Sequence, residues 1–149
     1  MKKLLLIIAI GFTASLNAQI LTPKASPAAK MQQKVGLADI QIEYSRPGAK
    51  GRVIFGDLIP FGQMWRLGAN ENTKITTTEA LFIGKDTLKA GTYALFAKPG
   101  PTNWELYFYA DHSNWGLPEP WDPKKVVLQA NAGVQKTQNF QENLAISLD

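Results

Sequence analysis

All three arginines of this chain, Arg46, Arg52 and Arg66, lie between positions 46 and 66, in company with Lys50. A planar guanidinium fork matches the oxyanions of carboxylates, sulfates and phosphates, and the glycine-bounded turns at Pro47-Gly48 and Gly51 expose backbone donors beside it. Two arrangements are open. In the first, the guanidiniums turn inward and are neutralised by Glu43, Asp57 or Glu71, tying the turn to the sheet through bidentate bonds. In the second, Arg46, Lys50, Arg52 and Arg66 converge on an anionic ligand. Energetics separate the two, since removing one partner of a buried ion pair costs about 3–5 kcal/mol, while an exposed arginine contributes about 0–1 kcal/mol.

The second polar concentration is Gly68-Ala69-Asn70-Glu71-Asn72-Thr73. It lacks the lysine-then-hydroxyl ending of a phosphate loop. Asn70 and Asn72 are expected to bond their own backbone in a turn, and Asn70 is also a candidate ligand contact. Glu71 is the one candidate general acid or base there, without an identified partner. His112, the only histidine, stands between Asp111 and Ser113. Those are triad ingredients, but neighbours in an extended chain point to opposite faces and cannot relay hydrogen bonds, and no Gly-x-Ser-x-Gly elbow is present. One histidine and no cysteine exclude a zinc site of the usual composition. Calcium held by Asp111, Glu119 or Asp122 lacks a loop signature, and no cofactor motif occurs. Trp115 and Trp121, in a proline-braced loop, are suited either to stacking on a sugar ring, with Asp111, Asn114 and Asp122 bonding hydroxyls, or to plugging the end of a β-fold.

The elements that must position these groups are strands. Ile40, Ile42 and Tyr44 alternate with Asp39, Gln41 and Glu43, as a half-buried strand does. Arg46 before Pro47 ends that strand, and Pro47-Gly48 suits the middle of a type II turn. Val53 to Gly62 reads as a compact loop with one helical turn capped by Asp57, anchored by Met64, Trp65 and Leu67. Lys74 to Ile83, the Gly84-Lys85-Asp86 turn and Thr87-Leu88 form a hairpin. Thr92 to Lys98 and Trp104 to Ala110, joined by Pro99-Gly100-Pro101, form an antiparallel pair whose Tyr107 and Tyr109 face is suited to lining a groove. Val126 to Ala130 adds a short strand. Phe140, Leu144, Ile146 and Leu148 put the apolar residues of a last strand on one face, and because that pattern breaks off at Asp149, either the strand pairs internally or the native chain is longer. The fold class is all-β: an antiparallel β-sandwich, or a partly closed barrel, with one long irregular loop segment and at most short helical turns.

Lys2 and Lys3 followed by the apolar run Leu4 to Ile10 form an export leader too short to span a bilayer, with cleavage expected after Ala18. The expected organisation is therefore a signal peptide at 1–18, a linker rich in alanine, lysine and proline at 19–34, and one domain at 35–149. The product is periplasmic or secreted, with no stable membrane anchor after cleavage. Without Lys2 and Lys3 the chain carries 14 basic and 12 acidic residues, which is no nucleic-acid footprint. Oligomeric state is not encoded in any pattern found.

Tyr44-Ser45-Arg46-Pro47-Gly48, Lys50-Gly51-Arg52, Ile54-Phe55-Gly56, Trp65-Arg66, Gly68-Ala69-Asn70-Glu71 and Ala90-Gly91-Thr92-Tyr93 occur in that order. As a set they resemble the bacterial domain-of-unknown-function family 2911, over nearly all of Val35 to the end. The resemblance implies an exported β domain of the kind common in Bacteroidetes, with members usually continuing past the last strand; it brings no activity, substrate or cofactor. From the residues, the leading expectation is a non-catalytic domain that binds a small anionic or carbohydrate ligand, or an envelope partner, through Arg46, Lys50, Arg52, Arg66, Asn70, Trp115 and Trp121. One alternative is a hydrolase or lyase acting on envelope carbohydrate with Glu71 or His112 as general acid or base. Another is a structural or assembly domain.

Overall fold

The computed structural model describes residues 22–148; the expected leader and its cleavage point lie outside them. Eight strands follow in order: β1 Ala28–Val35, β2 Ala38–Ser45, β3 Thr73–Thr77, β4 Leu81–Ile83, β5 Asp86–Leu88, β6 Gly91–Lys98, β7 Asn103–Tyr109 and β8 Val126–Gly133. Six of them form one sheet in the order β1-β2-β3-β6-β7-β8, while β4 and β5 form a separate hairpin. Every strand pairing is antiparallel. The sheet does not close into a barrel, so the sandwich expectation holds, with a thin second layer.

The two-residue period decides what lies on each face. Ile40, Ile42 and Tyr44 of β2, Ile75 of β3, Leu95 of β6, Phe108 of β7 and Leu128 of β8 make one core, onto which the hairpin sets Leu81, Ile83 and Leu88. Register places Ala94 and Phe96 with Tyr107 and Tyr109 on the opposite face, where Met64, Trp121 and Val126 cover them. The tyrosine face is therefore a second core and not an open groove: Tyr107 is 8% exposed and Tyr109 1%. One helical turn, of the 3-10 kind, occurs at Pro123–Lys125, with Asp122 accepting from the Lys124 N–H.

Four expectations about local structure are corrected. The linker does not reach Lys34, because β1 begins at Ala28 and pairs with β2 along its whole length; as an edge strand it half-buries only Ala29, Met31 and Gln33. The turn after β2 lies at Ala49–Arg52, not at Pro47-Gly48: Arg52 N–H donates to Ala49 C=O at 3.0 Å, and Lys50 and Gly51 have φ of 50° and 70°, as a type I′ turn requires. No helical turn forms at Asp57; Gly56 N–H and Ile59 C=O instead close that loop at 2.9 Å. Finally, 134–148 is not a strand but an extended strap. Leu144, Ile146 and Leu148 do share one face, which packs on the first core, while Phe140 is 78% exposed.

The strap crosses the end of the sheet at the arginine corner. Ala49 N–H donates to Glu142 C=O at 2.8 Å, Leu144 N–H to Pro47 C=O at 3.0 Å, and Ile146 N–H to the Tyr44 hydroxyl at 3.2 Å. Gly48 faces the strap closely at this crossing: a Cβ there would stand 2.9 Å from Glu142 Oε1 and displace that side chain.

Candidate functional site

The arginine corner satisfies backbone carbonyls, which neither sequence arrangement foresaw. Arg46 Nε donates to Leu144 C=O at 2.9 Å, while its own N–H bonds Pro27 C=O at 2.9 Å. Arg52 Nε and Nη2 donate to Ala49 C=O at 2.9 Å and Gly48 C=O at 2.8 Å. The carboxylates expected to neutralise them belong elsewhere: Glu43 Oε1 lies 3.9 Å from Lys30 Nζ and Glu71 Oε1 2.6 Å from Lys24 Nζ, and Asp57 forms no ion pair among the described residues. The physical reason is local. Carbonyls of a tight turn and of a strap outside the strand ladders keep acceptor capacity that no ladder uses, and guanidinium donors take it up. Lys50 remains exposed, and its backbone N–H bonds Glu142 Oε1 at 2.9 Å.

The segment Arg66–Asn72 ties distant parts of the chain together. Asn70 Nδ2 donates to Ser26 C=O at 3.0 Å and lies 3.3 Å from Ser45 Oγ. Asn72 Nδ2 donates to Asn114 C=O at 2.7 Å. These are long-range ties, not the local backbone bonds expected of a turn. Leu67 and Asn70 have φ of 51° and 57°. Asparagine tolerates that region, but leucine there costs about 1–2 kcal/mol, set against the packing of its side chain on the first core. Gly68 lies close against β2, where a Cβ would stand 3.2 Å from Ser45 O and press the two segments apart by a few tenths of an ångström. Asn72 is 3% exposed, and its Oδ1 is buried with no hydrogen-bond partner among the described residues.

Arg66 leaves the corner. Its guanidinium lies over the Trp115 ring, 5.2 Å from the centroid, and a Cβ on Gly116 would stand 3.0 Å from its Nη1. The loop between β7 and the 3-10 turn is thus wrapped around Arg66 and held at Asn114 by Asn72. Trp115 itself is 67% exposed. The partners of Arg46 and Arg52 belong to the corner and strap, those of Arg66 to this loop, so the four expected cations do not share partners.

Of the acid–base candidates, Glu71 is paired with Lys24, and the neighbours of His112 bond each other and Lys125. The Lys24 ammonium holds the Glu71 carboxyl below its ordinary value, so Glu71 is ionised at neutral pH and unsuited to donate a proton. Asp111 bypasses His112: its Oδ1 accepts from Ser113 Oγ at 2.7 Å and its Oδ2 from Lys125 Nζ at 2.8 Å. These bonds, led by that of Lys125, hold the Asp111 carboxyl far below the usual carboxylate range. Trp121 plugs the second core. Its ring meets Phe96, Tyr107 and Tyr109 at centroid distances of 5.3, 6.0 and 4.6 Å, and its outer side borders a cleft of about 220 Å³ with Met64, Leu117, Pro118 and Glu119.

One polar network was missed in the sequence. Glu105 Oε2 accepts from the Tyr107 hydroxyl and, at 3.3 Å, from Gln129 Nε2, with Lys98 Nζ at 3.6 Å. Burial, reinforced by Glu105, pushes the Tyr107 hydroxyl up, and the bond to Tyr107 raises the Lys98 ammonium. Lys98 faces Glu105, and Tyr107 faces Gln129, across strand pairs; the register of the β6–β7 hairpin was the signal that could have found the first pair.

No curated protein matches the chain, and no solved structure does. The ordered motifs of the corner and of the Arg66–Asn72 segment, now seen as one clamped framework, fall within residues 26–149, where the chain matches the family model described as Protein of unknown function (DUF2911), and the chain belongs to that family.

Proposed function

We propose that this is a non-catalytic binding domain of the envelope or extracellular space, which takes an anionic sugar of the uronate class on the shelf formed by Arg66 and Trp115. The observation that carries the reading is the Arg66 guanidinium stacked 5.2 Å from the centroid of a mostly exposed tryptophan. That guanidinium has no carboxylate partner among the described residues. An apolar sugar face stacks on an indole, and a sugar carboxylate matches a guanidinium. Arg46, Arg52 and Asn70 support the shelf by holding the framework and do not touch the ligand. The envelope part of the reading rests on the leader pattern at 1–18.

Titration calorimetry with oligogalacturonate, neutral oligogalactose and inorganic phosphate tests it. Heat is expected with the uronate alone. Arg66→Gln lowers that affinity roughly 10- to 100-fold, the equivalent of one charge-assisted hydrogen bond, and Trp115→Ala abolishes it. Absence of heat with millimolar oligogalacturonate and folded protein refutes the proposal. Turnover of the sugar that disappears in Glu71→Gln or His112→Gln would replace it with the hydrolase or lyase alternative.

A further inference from the structure

The two outer strands of the six-stranded sheet differ in how their edges are guarded. Strand β1 carries Lys30 and Lys34, each within salt-bridge distance of a β2 carboxylate, and edge lysines discourage pairing with a further strand. Strand β8, Val-Val-Leu-Gln-Ala-Asn-Ala-Gly, carries no charge.

The direction of its backbone groups follows from the ladder. Val134 N–H donates to Thr102 C=O at 2.8 Å, and hydrogen-bonded pairs alternate along an antiparallel ladder. Ala132, Ala130 and Leu128 therefore bond β7 opposite Trp104, Leu106 and Phe108. The N–H and C=O groups of Gln129, Asn131 and Gly133 point the other way, toward an edge with which no strand pairs among the described residues, and all three residues are exposed. At the head of this edge lies a cleft of about 370 Å³ lined by Val126, Val127, Leu128 and Gln129, with Asp86 and Thr87 of the hairpin beside them. Asp86 is exposed and forms no ion pair among the described residues.

We propose that the β8 edge docks an extended peptide segment of a partner protein, which adds to the sheet as a further strand and presents a lysine or arginine to Asp86. The mode is strand addition, with main-chain bonds giving affinity and the flanking side chains giving choice of sequence. The hairpin beside the edge favours a peptide over a second copy of this chain, and the exposed Asp86 favours a basic one. Asp86 and Thr87 stand beside the edge, so a narrow chain fits where a second β8 would arrive with its whole sheet behind it.

The test is a titration of the ¹⁵N-labelled protein with a capped heptapeptide of alternating threonine and valine bearing one central lysine, followed by NMR. The amide resonances of Gln129, Asn131 and Gly133 are expected to shift and their exchange to slow, while those of β1 stay put. Asp86→Asn weakens binding about two- to five-fold, as loss of an exposed ion pair does. Asn131→Pro removes an edge N–H that does not serve β7 and abolishes the shifts. Asn131→Lys, which keeps the backbone and charges the edge, does the same if the proline variant fails to fold. Peptide-induced shifts confined to other residues, or none at millimolar peptide, overturn the proposal. So do the same β8 shifts appearing with protein concentration in the absence of peptide, which would assign the edge to self-association.

Discussion

Arg46→Met isolates what the arginine corner does. The guanidinium donates from Nε to Leu144 C=O at 2.9 Å in a half-buried setting, and methionine keeps the apolar stem while removing charge and donor. A hydrogen bond from a charged group is worth about 1.5–3 kcal/mol, and the Leu144 carbonyl, lying on a strap outside any strand, has no ladder partner to replace it. Arg52→Met removes two bonds, but they go to turn carbonyls around an exposed guanidinium, where water substitutes, so its expected cost is no more than about 0.5–1 kcal/mol. Urea denaturation reads the contrast directly: with m near 1–3 kcal/mol/M for a small domain, Arg46→Met lowers the midpoint by about 1 M. Hydrogen exchange adds the location, since the Leu144 and Ile146 amides, bonded to Pro47 C=O and the Tyr44 hydroxyl, should lose protection before the β2 and β3 amides do. An Arg46→Met variant within about 0.5 kcal/mol of the parent, with strap protection intact, would refute the clamp.

Acid sensitivity has a named source. Lys125 and Ser113 hold the Asp111 carboxyl far below the ordinary carboxylate value, so the folded state binds that proton less readily than the unfolded chain. The resulting stability is fully present above the unfolded pKa of about 3.9 and is lost as pH falls toward the folded value. Urea midpoints of the parent and Asp111→Asn should therefore differ by a constant amount from pH 7 down to about pH 5 and converge below about pH 4; a gap that widens in acid contradicts the assignment. Phe55→Ala removes edge contacts to Trp65 at 5.7 Å and Trp104 at 4.7 Å between centroids. A loss of about 1–3 kcal/mol is expected from two such pairs, together with a shift of tryptophan emission to longer wavelength, measured by fluorescence-monitored unfolding.

The parts of this fold that were legible in the sequence are those where one face of a strand is buried along its length. Ile40, Ile42 and Tyr44 announce β2 because their alternation is uninterrupted, and Trp104 to Ala110 announces β7 for the same reason. Strand β1 was not legible, since an edge strand buries little and its inward positions are Ala29, Met31 and Gln33, which look like linker composition. The strap was half legible: alternation at Leu144, Ile146 and Leu148 reports a shared face, but periodicity says nothing about how far a backbone partner runs alongside, and here it is confined to the crossing at Pro47–Ala49. The arginines show the same limit from the side of charge. A sequence displays carboxylates, so Glu43, Asp57 and Glu71 looked like the partners of Arg46, Arg52 and Arg66. It does not display which carbonyls of a turn and of a strap outside the strand ladders will accept from a side chain, and those of Gly48, Ala49 and Leu144 are the ones that claimed two of the guanidiniums. Arg66 differs because the segment after it returns to strand at Thr73 and offers it no such carbonyl among its described bonds. It is left to an aromatic ring instead, which is why, of the three arginines, it is the one on which the proposed shelf is built.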